Sequence, residues 1–446
     1  MARWSGGLRC LLLLAAIAFI YTQVRLFKAQ SEYAEKISAA VEGENHCTSQ
    51  MQLLIHQISM QKEKIMALEV KAKQQEEEGE QLRSLVQNLE IKGVKNLFQQ
   101  DQVPVAAVVI MACNRADYLE RTIKSILKYH ASASSKFPVF ISQDGSNSDV
   151  RTKALSYKQL AYMQHLDYEP VHTERPGELI AYYKIARHYK WALDQLFYKH
   201  SFNRVIILED DMEISPDFFD YFEAGADLLD KDKSIMAISS WNDNGQKQFV
   251  HDPYKLYRSD FFPGLGWMLS KTTWDELSPK FFLTMYTYWD DWLRLQENHR
   301  GRQFIRPEVC RTYNFGEHGS SLGQFFHQYL KPIRLNNLPI DWKSMNLTYL
   351  MEDKFVKHFA DLVKGANPLY GTDLILKINN IKGDVRIKYR DQPHFEEIAR
   401  QFGIFEEWKD GIPRTAYKGV VVFRYQTRQI FLIGPDSLEQ LGIQNY

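Results

Sequence analysis

Arg204-Val-Ile-Ile-Leu-Glu209-Asp210-Asp211 is the stretch from which the rest of the chain reads. Val205 to Leu208 is apolar without alternation, the mark of a strand buried on both faces in a covered, mainly parallel sheet. Three carboxylates directly beyond such a strand repel one another unless a positive charge neutralises them, and a divalent cation does that. Successive side chains of an extended segment point to opposite sides, so the three cannot all bind one ion. The remaining coordination falls to water and substrate oxygens, which suits Mg²⁺ or Mn²⁺ holding a diphosphate. An exposed acidic loop, or the N-cap of a helix near Ser215-Pro216-Asp217, is the reading without a ligand.

Working outward, two more apolar runs of strand length precede it, Val105 to Cys113 and Phe137 to Gln143, the second ending in Asp144-Gly145. Helical patterns at Tyr118–Leu127 and Ala181–Leu193 alternate with them, predicting an α/β fold with helices on both faces of the sheet. Such sheets bind ligands beyond the carboxyl ends of their strands, where Arg115, Asp144 and the acidic trio stand. Neither G-x-G-x-x-G nor G-x-x-x-x-G-K-[ST] follows the first strand, which removes the usual dinucleotide and P-loop readings. Without H-E-x-x-H or paired C-x-x-C, the usual zinc signals are missing too. A second carboxylate pair lies in Tyr288-Trp289-Asp290-Asp291-Trp292, after Phe261-Phe-Pro-Gly-Leu-Gly-Trp267. Adjacent helical positions diverge by about 100°, so at most one of Asp290 and Asp291 can be a base and the other is structural. An acid pair at a helix start over an aromatic core fits the residues equally.

The chain has 446 residues, with 55 Lys+Arg against 55 Asp+Glu, so no basic field exists to hold a nucleic-acid backbone. Four cysteines are too few for a disulfide framework, which leaves stability to packing. At the N-terminus, Leu11 to Tyr21 is apolar between Arg3 and Arg9 on one side and Arg25 and Lys28 on the other. This predicts a short tail (1–9), an uncleaved type II membrane anchor (10–28) and a body on the far side of the membrane. Residues 29–103 are rich in Gln, Glu and Lys and hold no proline. Met51, Ile58, Ile65, Ala72 and Val86 alternate with Leu54, Leu68, Leu82 and Leu89 in an imperfect heptad, predicting a coiled-coil-like stalk with weak self-association. A single amphipathic helix is the simpler alternative.

Taken together, Ala112-Cys-Asn-Arg115, Ser142-Gln-Asp144, Tyr182-Tyr-Lys-Ile-Ala-Arg-His188, Glu209-Asp-Asp211, Trp241-Asn-Asp-Asn-Gly245, Phe261 to Trp267 and Trp289-Asp-Asp-Trp292 closely resemble the N-acetylglucosaminyltransferase I family from Val105 to the C-terminus. The resemblance implies a GT-A-type nucleotide-sugar-binding domain over 104–340 and a Golgi enzyme of type II topology with a lumenal catalytic domain. The implied reaction transfers GlcNAc from UDP-GlcNAc, with inversion, to O2 of the α1,3-linked mannose of a five-mannose, high-mannose N-glycan. On the same basis Asp211 matches the Mn²⁺ ligand, while Glu209 and Asp210 match donor-sugar and ribose contacts. Arg115, Asp144 and His188 look like uridine-side contacts, Asp290 like the catalytic base, and Trp289 like a neighbour of the donor sugar. Ser321 falls on a loop that orders over the donor in the family.

One departure is Gly145, where animal members carry a cysteine, so Cys113 is expected as a free thiol. Residues 341–446 show the strand patterns Val420 to Tyr425 and Gln429 to Ile433 and an amphipathic stretch His394 to Phe402, read as a smaller C-terminal α+β domain. Asn346-Leu-Thr348 is a glycosylation sequon. Two other functions fit the same residues: a GlcNAc transferase acting on protein O-linked mannose, whose relatives carry a lectin-like stem, and a non-catalytic Golgi lectin or tether, which would not require an intact Asp290.

Overall fold

A computed structural model describes residues 5–97, 103–171, 173, 178–281, 288–320, 323–372, 383–426 and 428–443. The chain divides into two compact units, Met1–Leu89 and Glu90–Tyr446. One helix, α1 (Ser5–Leu97), spans the described residues of the first unit and takes in the expected stalk as far as Leu97. Seam residues Met51, Leu54, Ile58, Ile65 and Leu68 stand 56–65% exposed on it. Among the described residues no helix is long and apolar enough to cross a membrane, so the anchor expected over 10–28 finds no support. The physical reason is length: Leu11 to Tyr21 is 11 residues, about 16 Å of helix against about 30 Å of hydrocarbon.

The second unit is built on an eight-stranded sheet ordered β3-β2-β1-β4-β8-β6-β9-β7. Its strands are β1 (Ala107–Ala112), β2 (Val139–Asp144), β3 (Ala161–His165), β4 (Arg204–Glu209), β6 (Ile235–Ser239), β7 (Leu256–Ser259), β8 (Trp267–Ser270) and β9 (Gln303–Pro307). The short strands β5 (Met212–Ile214) and β10 (Thr312–Asn314) pair separately. Strands β3, β2, β1 and β4 run parallel, but β8 enters antiparallel to both β4 and β6. β7 is antiparallel to β9 as well. Since β6 lies antiparallel to β8 and parallel to β9, only β7 and β8 are reversed, and the sheet is mixed but mostly parallel, as expected.

Its strands lack alternation because both faces are covered. Val108, Ile110, Ala112, Ile206 and Leu208 enter one core, with α2 (Ala116–His130) and α5 (Phe218–Lys231). Ala107, Val109, Met111, Val205 and Ile207 enter the other, with α4 (Ile180–Asp194), α6 (Lys271–Leu277) and α7 (Trp289–Arg294). Helix α3 (Ser148–Ser156) follows β2, its start capped by the Asn147 side chain on the backbone N–H groups of Asp149 and Val150.

Residues 341–446 contribute a four-stranded sheet, β11-β12-β16-β15, from β11 (Asn367–Leu369), β12 (Val385–Lys388), β15 (Val420–Tyr425) and β16 (Arg428–Ile433). A two-stranded hairpin joins β13 (Trp408–Lys409) to β14 (Ile412–Pro413). Alternation now matters, since this sheet has two different neighbours. Val420, Val422, Phe431 and Ile433 pack into the core shared with α2 and α5. Val421, Phe423, Ile430 and Leu432 pack on the amphipathic helix Gln392–Phe402. The C-terminal segment thus has its own sheet but is welded to the eight-stranded half through one continuous apolar core.

Candidate active site

Beyond β4 the chain turns immediately into β5, and β5 pairs with β10 in a register that sets Asn314 opposite Met212. That pairing brings the Asn314 amide to Asp211, donating to Oδ1 at 2.8 Å. Arg115, the residue before α2, lies beyond the end of the neighbouring strand β1: its guanidinium pairs with Asp210 and lies 2.8 Å from Asp211 Oδ2. The same group donates to the His318 carbonyl at 2.8 Å, drawing the 316–319 loop over the acids. A Cβ on Gly316 would stand 2.1 Å from Asp211 Oδ2, so only glycine fits there. Asp217, the alternative helix-cap residue, instead meets Arg311, Asn336 and Trp342. Helix α5 starts at Phe218 with Asp217 in the N-cap position, so the trio is not a helix cap.

Asp210 and Asp211 are buried, and Arg115 supplies one positive charge against three carboxylates. Burial, then the charge of Asp211, pushes Glu209 up to about 7. Burial likewise lifts Asp210 to about 7 against the pull of Arg115, and raises Asp211. On Arg115 burial works against the charge, but Asp210 and Asp211 outweigh it and keep the guanidinium protonated. This excess of buried negative charge is what a divalent cation would relieve. Among the described residues no three Asp, Glu, His or Cys side chains converge into a closed metal cage. A cation held by Asp211, with water and ligand oxygens elsewhere, fits that donor set.

The ends of β2 and β3 form the next part. Asp144 bonds to Nδ1 of His165 at 2.8 Å, and His165 stacks on His188 at 5.6 Å with an interplanar angle of 10°. His188 Nε2 bonds to Ser142 Oγ at 2.8 Å. Burial takes the His188 imidazole down to about 3, so it is neutral across the physiological range. Cys113 is free and exposed, as expected from Gly145. Desolvation, then the Asp144 and Asp210 charges on either side, pushes its thiol up.

An aromatic bridge carries the site toward the second acid pair. Tyr189 of α4 donates to Glu209 Oε1 at 2.7 Å, and its ring stacks on Trp289 at 4.3 Å. Trp289 in turn lies parallel to Trp267 at 5.9 Å. Gly266, just before Trp267, has φ +95, and a Cβ there would come within 2.4 Å of Ser240 Oγ. The glycine turn expected before Trp267 is thus a place of close backbone approach. Asp290 follows Trp289 with its side chain 36% exposed, 2.9 Å from Arg294 Nη1. Burial acts to raise Asp290, but the Arg294 guanidinium outweighs it and leaves the carboxyl below the usual range. Asp291 is turned away, bonded to Arg294 at 2.7 Å and to Lys409 at 2.8 Å.

The structure gathers Arg115, Glu209, Asp210 and Asp211 directly, sets Asp144 with His188, and joins Trp289 and Asp290 to the trio through Tyr189. Ser321 lies outside the described residues. Sequence reasoning missed His165, Tyr189, Asn314, Arg294 and Lys409. The i, i+4 spacing of Asp290 and Arg294 was the one legible signal among them.

The profile of the GNT-I family matches residues 13–445. The chain belongs to the GNT-I family. A relative from Arabidopsis thaliana, named alpha-1,3-mannosyl-glycoprotein 2-beta-N-acetylglucosaminyltransferase, is 68% identical over 446 residues, all of both chains. Among solved structures, S. aureus TarS 1-349 in complex with UDP-GlcNAc is similar at 12% identity and TM-score 0.31, over 59% of this chain and 67% of that one. The mannosyltransferase PcManGT of Pyrobaculum calidifontis, in complex with GDP-Man and Mn2+, aligns at 16% identity and TM-score 0.26, over 42% of this chain and 53% of that one. Likenesses of that size leave the architecture of this GNT-I family member to rest on its own sheet.

Proposed function

We propose that the protein transfers N-acetylglucosamine from UDP-GlcNAc to O2 of the α1,3-linked mannose of a five-mannose N-glycan, with inversion, opening hybrid and complex N-glycan synthesis. The observation that carries this reading is the 68% identity over the whole of both chains to the enzyme of that name. The site geometry supports it, because the acidic trio and Asp290 stand at opposite ends of the Glu209–Tyr189–Trp289 bridge.

In this reading Asp290 accepts the proton of the acceptor hydroxyl as that oxygen bonds to the anomeric carbon and the bond to the diphosphate breaks. Asp211 would hold Mn²⁺, whose charge would supply the Lewis-acid stabilisation of the diphosphate. Glu209 and Asp210 orient the donor sugar and ribose. Arg115, Asp144 and neutral His188 take the uridine side, Trp289 walls the sugar, and Ser321 would serve the donor. The reaction belongs to the Golgi lumen, where the exposed Asn346 of the sequon would be open to glycosylation.

The test combines the purified protein with UDP-GlcNAc and a five-mannose N-glycan, with and without EDTA, followed by mass spectrometry. The expected result is a gain of one N-acetylhexosamine that EDTA abolishes. Donor hydrolysis without a glycan product, from folded protein, would overturn the acceptor assignment. A finer check is Tyr189→Phe, which removes the hydroxyl on Glu209 and keeps the ring on Trp289. KM for UDP-GlcNAc should rise about fivefold to tenfold, a loss of about 1 kcal/mol. Steady-state kinetics showing an unchanged KM would remove Tyr189 from donor-site organisation.

A further inference from the structure

Asp290 and Asp291 share one guanidinium. Arg294 Nη1 reaches Asp290 Oδ2 at 2.9 Å and Asp291 Oδ1 at 2.7 Å, and the Arg294 side chain is only 7% exposed. A second cation comes from far along the chain: Lys409 Nζ lies 3.0 and 2.8 Å from the two oxygens of Asp291. Lys409 is fixed by the hairpin that carries it. Asp410 and Gly411, between β13 and β14, both have left-handed φ, 49 and 80, the two-residue turn that matches the twist of paired strands. At the root of the hairpin Arg414 bonds to Glu407 at 2.6 Å and to Asp243 at 2.7 Å. The Arg414 guanidinium lies over Phe261 at 5.1 Å, and that of Arg294 lies over the same ring at 4.6 Å. Trp408 packs on Phe395 and Tyr389.

We propose that Lys409 is a positioning residue for the catalytic base: by neutralising Asp291 it leaves the Arg294 guanidinium to orient Asp290. The proposal rests on the reading of Asp290 as the base. Two carboxylates and two cations balance around the start of α7; without Lys409, one guanidinium must serve two adjacent carboxylates. The unbalanced charge of Asp291 then favours the protonated form of its neighbour. Among the described residues, the tyrosines that feel the charge of Asp290 are Tyr182 and Tyr189 of α4. Burial first, and acidic neighbours second, raise the Tyr182 and Tyr189 hydroxyls, so both stay neutral. As a plain ion pair the Lys409–Asp291 contact, with side chains 35% and 18% exposed, would add little to stability. Its effect falls on the base.

The test measures kcat against pH, from about 3 to 8 so that the acid limb of Asp290 is covered, at saturating UDP-GlcNAc and five-mannose glycan, for the full chain and for Lys409→Met, Lys409→Arg and the double variant Asp291→Asn/Lys409→Met. In Lys409→Met the acid limb should move up by about one pH unit, with kcat at the acid end falling several-fold and KM for UDP-GlcNAc unchanged. Lys409→Arg restores the cation and the double variant removes the charge it served, so both should return the limb to its wild-type position. A wild-type profile in Lys409→Met overturns the proposal. So does a pH-independent fall in kcat that neither companion variant relieves. Asp290→Asn, measured alongside, separates the two readings: retained turnover there defeats the base assignment itself, whereas its loss with a normal Lys409→Met profile defeats only the positioning role.

Discussion

Asp290→Asn is expected to lower kcat by about three orders of magnitude while leaving KM for UDP-GlcNAc close to wild type. The amide keeps the volume of the carboxylate and an oxygen that can still accept from Arg294, now 2.9 Å away, so α7 should hold its place. What disappears is the ability to take a proton. The sign of the pH dependence follows from the environment of the group. Burial works to raise the Asp290 carboxyl, but the Arg294 guanidinium prevails and leaves it below the ordinary carboxylate range. The base is therefore ionised throughout neutral pH, and activity limited by it should decline only on the acid side, below the usual aspartate range. Steady-state kinetics of the variant decide the matter, and one that keeps most of its kcat would remove Asp290 from the base role.

Asp211→Ala should abolish metal-dependent UDP-GlcNAc binding, weakening it by more than about a hundredfold. Asp211 is the member of the trio held from both sides, by Asn314 at 2.8 Å and by Arg115 at 2.8 Å, and it faces the glycine at 316. Its loss removes the carboxylate around which the rest of the donor set is arranged. The fold should survive, because one of three mutually repelling buried charges is deleted and Arg115 keeps Asp210 as a partner. Calorimetry with Mn²⁺ and UDP-GlcNAc, accompanied by a melting curve, makes the test. Wild-type donor affinity in a folded variant would refute the metal assignment.

The two variants should fail differently, one in turnover and the other in binding, because the aromatic bridge separates the groups they alter. Tyr189 touches Glu209 with its hydroxyl and Trp289 with its ring, so donor binding and base position meet in one side chain. Lys409 acts from the other direction. The C-terminal sheet shares its core with α2 and α5, which gives the hairpin carrying Lys409 a fixed place beside α7.

Local pattern was enough for β1, β2 and β4. Their unbroken apolar runs follow from burial on both faces, and their ends in Arg115, Asp144 and the acidic trio follow from the placement of ligand sites beyond strand termini. Strand β3 escaped notice since only Met163 of its five residues is buried, leaving an edge strand with little hydrophobic pattern to read. The antiparallel entry of β8 was equally hidden, because Trp267–Ser270 is short and pairing direction leaves no mark in hydrophobicity.

By itself, then, the sequence determined that an α/β sheet ends in a run of three carboxylates with an acid pair downstream, since periodicity and charge repulsion act over a few residues. Only the tertiary structure decided which groups answer those charges. Arg115 lies 95 residues from Asp210, Asn314 103 from Asp211 and Lys409 118 from Asp291. Strand order and shared cores bring such partners together, and neither is written in the spacing of neighbouring residues.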